Sequence, residues 1–149
     1  MKKLEKLINK KDYYYVNRHL TTENFPIPEK VRTEGWKLIE MKKSFSSEEA
    51  LDEIKKQGCT PANAYELALW SESHRQEMKK GTCVIAFGQL WQNSVGYHRV
   101  PYVHANSGGD FKFDLGNFEN DWNDDNFLLC FCDLELGTLD TSKKELDLY

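Results

Sequence analysis

The sequence predicts an α+β domain in which two helices pack on a mainly antiparallel sheet. Two helical patterns follow one another in the first half of the chain, and a strand-like segment precedes them. A run of strand-like segments joined by short turns fills the second half. Strands joined by short turns pair antiparallel, and helices grouped before them are expected on one side of the sheet.

The first strand and the first helix are predicted between residues 36 and 58. Residues 36–41 have a strand-like composition, and the stretch Ser46-Ser-Glu-Glu49 has the pattern of a capping box. Ala50 and Ile54 mark the core-facing side of the helix that follows. Gly58 is expected to end it, because glycine adopts the left-handed conformation without strain.

The second helix is predicted to begin at Thr60 and Pro61. Thr60 has the side chain of an N-cap, and proline is favoured at the first helical position. Tyr65, Ala68 and Leu69 give this segment a core-facing stripe.

Four strand-like segments follow, at residues 82–91, 97–105, 111–115 and 126–134. The first two flank a five-residue loop that contains glycine, which predicts a hairpin. Phe111, Phe113 and Leu115 alternate with polar residues and so share one face. The last segment is continuously apolar, which predicts a central strand buried on both faces.

The domain boundaries are placed around these elements. Residues 35–135 form the α+β domain, residues 1–34 are an N-terminal extension packed on it, and residues 136–149 are a polar C-terminal tail. The extension contains a short amphipathic pattern at residues 2–11 and an aromatic segment at residues 12–20.

Composition restricts the class of protein. The chain has 149 residues, of which 40% are hydrophobic, enough for one packed core. The net charge of −4 does not favour nucleic-acid binding. Mean hydropathy is −0.69 and the longest apolar runs fall well short of a membrane span, so no membrane association is expected. A cytoplasmic location is predicted.

The four cysteines are predicted to be reduced thiols. Cys83, Cys130 and Cys132 lie in apolar strand-like runs, where a free thiol packs as a small hydrophobic group. The alternative is two disulfides that also involve Cys59. A zinc site built from Cys130 and Cys132 with Cys83 or a histidine is not expected, because zinc cysteines usually flank a turn.

The order of elements resembles the C-type lectin-like fold. The matching stretches are Ser44–Ala50, Gly58, Ala62–Leu67, Leu90-Trp91, Trp122-Asn-Asp124 and Phe127–Glu135. The resemblance implies that fold over residues 35–135, and it places Asn123 and Asp124 at the positions of the family's calcium ligands. The chain lacks the family's Glu-Pro-Asn motif, so the resemblance does not predict carbohydrate binding.

A second set of stretches is similar to uncharacterised small bacterial and phage-associated proteins. These stretches are residues 58–67, 84–88, 91, 99–102 and 127–129. The resemblance implies a microbial or viral cytoplasmic origin and supplies no activity.

Acidic residues are concentrated between residues 110 and 125. Carboxylate and amide oxygens gathered on a loop are the ligands that calcium takes, so Asn123 and Asp124 form a weak calcium candidate. The alternative is a solvated acidic loop in which Asp and Asn serve the turns. Apart from this calcium candidate, no cofactor is expected.

The segment 97–105 carries the strongest candidates for recognition. Alternation places His98, Tyr102 and His104 on one face of a strand and Arg99 on the other. Pro101 cannot donate to a ladder, which predicts an edge strand or a bulge. The alternative for both histidines is an ordinary half-exposed position.

The predicted function is that of a binding protein. The sequence contains no nucleophile elbow, phosphate-binding loop or dinucleotide motif. Recognition of a partner protein or a small molecule is expected through residues 91–122. The candidate residues are Trp91, His98, Arg99, Tyr102, His104 and Trp122. The alternative is a small enzyme or nucleotide-sequestering protein that uses His98, Arg99 and nearby acidic residues.

Overall fold

The computed structural model of the protein describes residues 1–132, which form three helices and eight strands. The helices are α1 (Leu4–Leu7), α2 (Ser47–Lys56) and α3 (Ala64–His74). The strands are β1 (Tyr15–Val16), β2 (Trp36–Glu40), β3 (Cys59–Pro61), β4 (Cys83–Ile85), β5 (Trp91–Gln92), β6 (His98–Ala105), β7 (Phe111–Asn117) and β8 (Asn126–Cys132). The predicted α+β class is confirmed. The predicted tail at residues 136–149 lies outside the described residues.

One sheet contains all eight strands, in the order β1-β7-β6-β4-β8-β2, with β3 also paired to β8 and β5 to β6. Most pairs are antiparallel, whereas β1 runs parallel to β7 and β4 runs parallel to β8. The apolar strand β8 is central and has Leu128, Leu129 and Cys130 fully buried. The prediction of a central strand buried on both faces is therefore confirmed. The lectin-like resemblance itself stays a prediction.

The two longer helices lie on opposite faces of the sheet. Side chains of α3 pack in one core cluster with Val84, Val103 and Leu129. Side chains of α2 pack in a second cluster with Ile85 and Leu128, which alternate with the first set along the same strands. The expectation that both helices pack on one side is wrong. The connection between them is β3, which joins the sheet beside β8 and carries the chain from one face to the other.

The N-terminal 34 residues contribute to the α3-side cluster. Leu4 and Phe25 are 0% exposed there, and the short strand β1 pairs with β7. The phenol of Tyr65 in α3 donates a hydrogen bond to the carbonyl of Phe25. This part of the chain therefore shares a core with the rest of the domain.

Helix α2 begins and ends as its sequence predicts. The hydroxyl of Ser46 accepts a hydrogen bond from the backbone N–H of Glu49, and the Glu49 carboxylate accepts one from the backbone N–H of Ser46. Gly58 follows the helix with a φ of +75°. Both caps are confirmed.

Helix α3 begins three residues later than predicted. Its N-cap is Asn63, which forms a capping box with Glu66. Thr60 and Pro61 instead belong to β3 and pair with β8. The pattern Thr-Pro is compatible with a helix start and with an extended strand. Thr60 and Pro61 adopt the strand because they pair with β8 and because Asn63 caps the helix after them.

Pro101 does not mark an edge strand, because β6 has β4 and β7 on its two sides. Its missing donor falls on the side of β4, since the Pro101 carbonyl accepts from the N–H of Ala86 on that side. β4 ends at Ile85, just before this point, so the missing donor falls beyond the end of the regular β4–β6 ladder. The prediction of an edge position is wrong for this reason.

Two of the cysteines are not free thiols. Cys59 and Cys132 lie directly opposite one another in the β3–β8 pair and are joined by a disulfide. Cys83 and Cys130 are free. The prediction of reduced thiols is therefore wrong for the first pair, which cross-strand register brings together from positions 73 residues apart. It is confirmed for the second pair.

Candidate functional site

A polar surface occupies the part of the α2 face formed by β4, β6 and β7. Direct cross-strand pairing places Cys83 beside His104 and His104 beside Lys112. In the next row, Tyr102 lies beside Asp114. Side chains directly opposite one another on one face are close enough to interact. The sheet therefore presents a thiol, an imidazole, an ammonium group, a phenol and a carboxylate together.

The segment that follows β7 covers one end of this surface. The Trp122 indole lies on Gly116, where a Cβ atom would stand 2.6 Å from the ring carbon Cη2. The indole Nε1–H donates to the hydroxyl of Ser47 over 2.9 Å, and Phe45 and Trp122 exchange backbone hydrogen bonds. The segment is thus attached to the start of α2, and only glycine at position 116 lets the ring lie against the sheet.

An open pocket of about 360 Å³ lies between the sheet and the Trp122 segment. Its lining includes Cys83, Tyr102, His104, Lys112, Trp122 and Asp125. Four amides also line it, those of Asn117, Asn120, Asn123 and Asn126. Pockets of this size hold small molecules. The lining offers hydrogen-bond donors and acceptors in similar numbers, with charges of both signs.

The thiol of Cys83 and the imidazole of His104 are in direct contact, with Sγ and Nδ1 3.2 Å apart. Burial, reinforced by the charge of Asp125, raises the pKa of the Cys83 thiol to about 12. Burial and the charge of Lys112 lower the pKa of His104. At neutral pH the pair is therefore an uncharged thiol beside an uncharged imidazole.

Lys112 is held by neighbours on the same face. Its ammonium group lies 3.5 Å from the Asp114 carboxylate oxygen Oδ2, and the other oxygen, Oδ1, accepts a hydrogen bond of 2.9 Å from the Asn17 amide. Burial lowers the pKa of Lys112, but Tyr102 and Asp114 outweigh it, so the net shift is upward. Lys112 is therefore a cation in the pocket at neutral pH.

Three of the six predicted recognition residues line this pocket, namely Tyr102, His104 and Trp122. Asn123, one of the two calcium candidates, lines it as well. Asp124 is exposed and is not among the lining residues.

The other three predicted recognition residues lie away from the pocket. The His98 Nδ1 atom lies 2.6 Å from a carboxylate oxygen of Glu119, near the opposite end of β6. Arg99 donates to the carbonyl of Leu115 over 2.7 Å. Trp91 packs on the ring of His19, with centroids 4.8 Å apart.

Cys83 and Lys112 were not predicted as site residues. The alternation of Phe111, Phe113 and Leu115 already placed Lys112 on the opposite, polar face of β7. The hairpin between β6 and β7 would then bring it beside His104. Cys83 carried no such indication, because an apolar strand run gives no information about which neighbour a thiol meets.

Metal-ligating side chains converge at a different place. Within residues 1–132, the one group of three or more Cys, His, Asp or Glu side chains whose ligand atoms lie close together consists of Cys59, Cys130 and Cys132. The calcium candidate at Asn123 and Asp124 stays a prediction.

Comparisons of the chain with protein-family models, curated proteins and solved structures find no match in any of the three. Among residues 1–132, no helix has the length and apolar character needed to cross a membrane.

Proposed function

We propose that the protein is a binding protein that holds a small, uncharged polar ligand in the pocket between β4, β6, β7 and the Trp122 segment. The observation that carries the proposal is the convergence of Tyr102, His104 and Trp122 on one pocket. This assignment narrows the recognition region expected at residues 91–122 to one face of the sheet.

The chemistry of the lining supports an uncharged ligand. A single cation, Lys112, is set against the carboxylates of Asp121 and Asp125, so the pocket has no strong excess of one sign. Side-chain amides both donate and accept hydrogen bonds. Hydroxyl and amide groups of a ligand match such a lining because each needs both kinds of partner.

The proposal is tested with a panel of compounds and two histidine variants. Polyols, primary amides and nucleosides are screened for an increase in melting temperature, and calorimetry gives the affinity of each compound that stabilises. His104→Ala is expected to weaken binding about tenfold, the effect of losing about one hydrogen bond.

His98→Ala is the matched control, because His98 lies on the same strand and the same face as His104 but outside the pocket. It should leave the affinity unchanged. The proposal is wrong if no compound stabilises the protein, or if both variants bind as tightly as the parent chain.

The rival function is that of a small enzyme. That alternative depends on His98 and Arg99, which lie away from the pocket. The contact between Cys83 and His104 gives the enzyme hypothesis another pair of candidate residues. A histidine beside a thiol is the arrangement of a base-assisted nucleophile. The raised pKa of Cys83 opposes this function, since the thiol is protonated at neutral pH. Turnover of a panel compound that Cys83→Ala abolishes would favour the enzyme.

A further inference from the structure

Three cysteine sulfurs come together where β3 meets the end of β8. Cys59 and Cys132 are direct cross-strand partners, and Cys130 precedes Cys132 by two residues and so shares its face. The three Sγ atoms lie within 4.8 Å of one another. Cys59 and Cys132 are joined by the disulfide, and Cys130 is a free thiol beside them.

We propose that reduction of this disulfide turns the three cysteines into a binding site for one Cu(I) ion. Thiolates are the soft ligands that Cu(I) prefers. Metal–thiolate bonds of about 2.3 Å place three sulfurs about 4 Å apart around a trigonal ion. The Cys130 sulfur already lies within 4.8 Å of the other two, and the Cys59 and Cys132 sulfurs must move apart to this spacing once their bond is reduced.

The number of ligands favours Cu(I) over zinc. Structural zinc sites are almost always four-coordinate. In the described part of the chain, no fourth Cys, His, Asp or Glu belongs to this group. Three thiolates complete a trigonal Cu(I) site, whereas a tetrahedral zinc site would need a fourth ligand that residues 1–132 do not place in this group.

The surroundings suit a cluster of thiolates. The positive charges of Lys37 and Arg32 act on Cys130 and offset part of the negative charge that three thiolates bring. Cys59 is 7% exposed and Cys130 is 0% exposed, so two of the three ligands are shielded from water. Burial raises the pKa of Cys130 to about 11, so the ion must displace a proton from it.

The reduction that opens the site balances with a dithiol as reductant. The dithiol supplies two electrons and two protons, the bond between Cys59 and Cys132 breaks into two thiols, and the reductant becomes a cyclic disulfide. Cu(I) then binds three sulfurs and releases three protons. In the oxidised chain, Cys130 is the one free thiol of these three cysteines, so the three-sulfur site exists only in the reduced chain.

The test is an anaerobic titration with Cu(I) in competition with the chromogenic chelator bicinchoninate. Protein reduced by dithiothreitol and freed of it should take up one ion per chain, and the oxidised protein should take up none. Near-ultraviolet circular dichroism checks that the reduced chain keeps its tertiary packing. Loss of that packing on reduction, or absence of uptake by the folded reduced chain, overturns the proposal.

Cysteine-to-serine variants identify the ligands. Cys130→Ser retains the disulfide pair and its contribution to folding, and after reduction it should bind Cu(I) at least about tenfold more weakly. Cys83→Ser, at the one other free cysteine of the chain, should bind as the parent does. Equal affinity of the parent and Cys130→Ser would show a two-cysteine site and contradict the proposal, as would retention of one zinc ion in preference to Cu(I).

Discussion

At the scale of single residues, the protonation state of Cys83 decides whether the pocket contains a nucleophile. Its thiol is partly buried in the pocket and lies near Asp125, and burial together with that negative charge raises the pKa of the thiol to about 12. A thiolate is the reactive form of cysteine. His104, at 3.2 Å, is uncharged and offers no positive charge to stabilise a thiolate.

We therefore expect Cys83 to react slowly with iodoacetamide. At pH 7 its alkylation in the folded protein, followed by peptide mass spectrometry, should be at least about tenfold slower than that of free cysteine, whose pKa is near 8.5. The denatured chain is the control for intrinsic reactivity. Rapid alkylation of Cys83 at neutral pH would contradict the pKa and would support the enzyme.

The same pKa fixes the sign of a stability change in alkaline solution. The folded chain holds the Cys83 proton more tightly than the unfolded chain, whose thiol has its ordinary value near 9. The contribution of Cys83 to the free energy of unfolding is therefore fully present below pH 9, and it is lost as the pH rises towards 12 and the folded chain's thiol ionises.

The site residues divide into those that the sequence can identify and those that it cannot. Tyr102 and His104 could be placed together because alternation along one strand is visible in the sequence. Arg99 and Trp91 are equally plausible recognition residues by type. In the structure, however, Arg99 donates a hydrogen bond to the Leu115 carbonyl and Trp91 packs on the ring of His19. Tertiary contacts of this kind leave no pattern in a single sequence.

At the scale of elements, the connection from β4 to β5 depends on a close approach at Gly88. Its N–H donates to the carbonyl of Ala62 over 2.7 Å, just before the N-cap of α3. A Cβ atom at position 88 would stand 2.5 Å from the Ala62 carbonyl oxygen and 2.6 Å from that of Pro61. All of these neighbouring atoms belong to the backbone, so no flexible side chain could move to make room for the Cβ.

Gly88→Ala is accordingly expected to lower the free energy of unfolding by about 1–3 kcal/mol, the range for overpacking. The measurement is the midpoint of urea unfolding. Gly108→Ala is the control, since its Cβ would meet the side-chain oxygens of Asn106 at 3.5 Å and Asp110 at 3.8 Å, both ordinary contacts. Equal midpoints for the two variants would mean that the approach at Gly88 is not a constraint.

The elements that the sequence predicts best are those with local signals. The capping box of α2 and the apolar run of β8 are complete within a few residues, and both are confirmed. The start of α3 and the position of Pro101 depend on pairing with strands far away in the sequence. Residues 82–91 form β4 and β5 separately, because the chain leaves the sheet to pass Ala62 before it pairs again with β6.

At the scale of the whole molecule, the disulfide between Cys59 and Cys132 links the middle of the chain to its last described strand. It spans 73 residues, a loop that includes α3 and four of the eight strands between its two cysteines. A cross-link of this span restricts the unfolded chain and is expected to stabilise the fold by about 4 kcal/mol.

Oxidised protein should therefore unfold at a higher guanidinium concentration than the same protein in dithiothreitol. The variant carrying both Cys59→Ala and Cys132→Ala is the control, and its midpoint should not respond to the reductant. Mass spectrometry establishes the oxidation state before each measurement. Identical midpoints for the oxidised and reduced parent chain would refute the expected stabilisation.

The placement of α2 and α3 on opposite faces has a consequence for how the sequence can vary. Side chains of the α3-side cluster and those around the pocket are separated by the backbone of the sheet, so substitutions in the two sets should have nearly additive effects on stability. Substitutions of residues such as His104 and Lys112 should therefore leave the packing around Phe25 and Tyr65 unchanged. The α2 face of the sheet thus carries both a core cluster and the open pocket, and the pocket residues can change without altering the core on the α3 face.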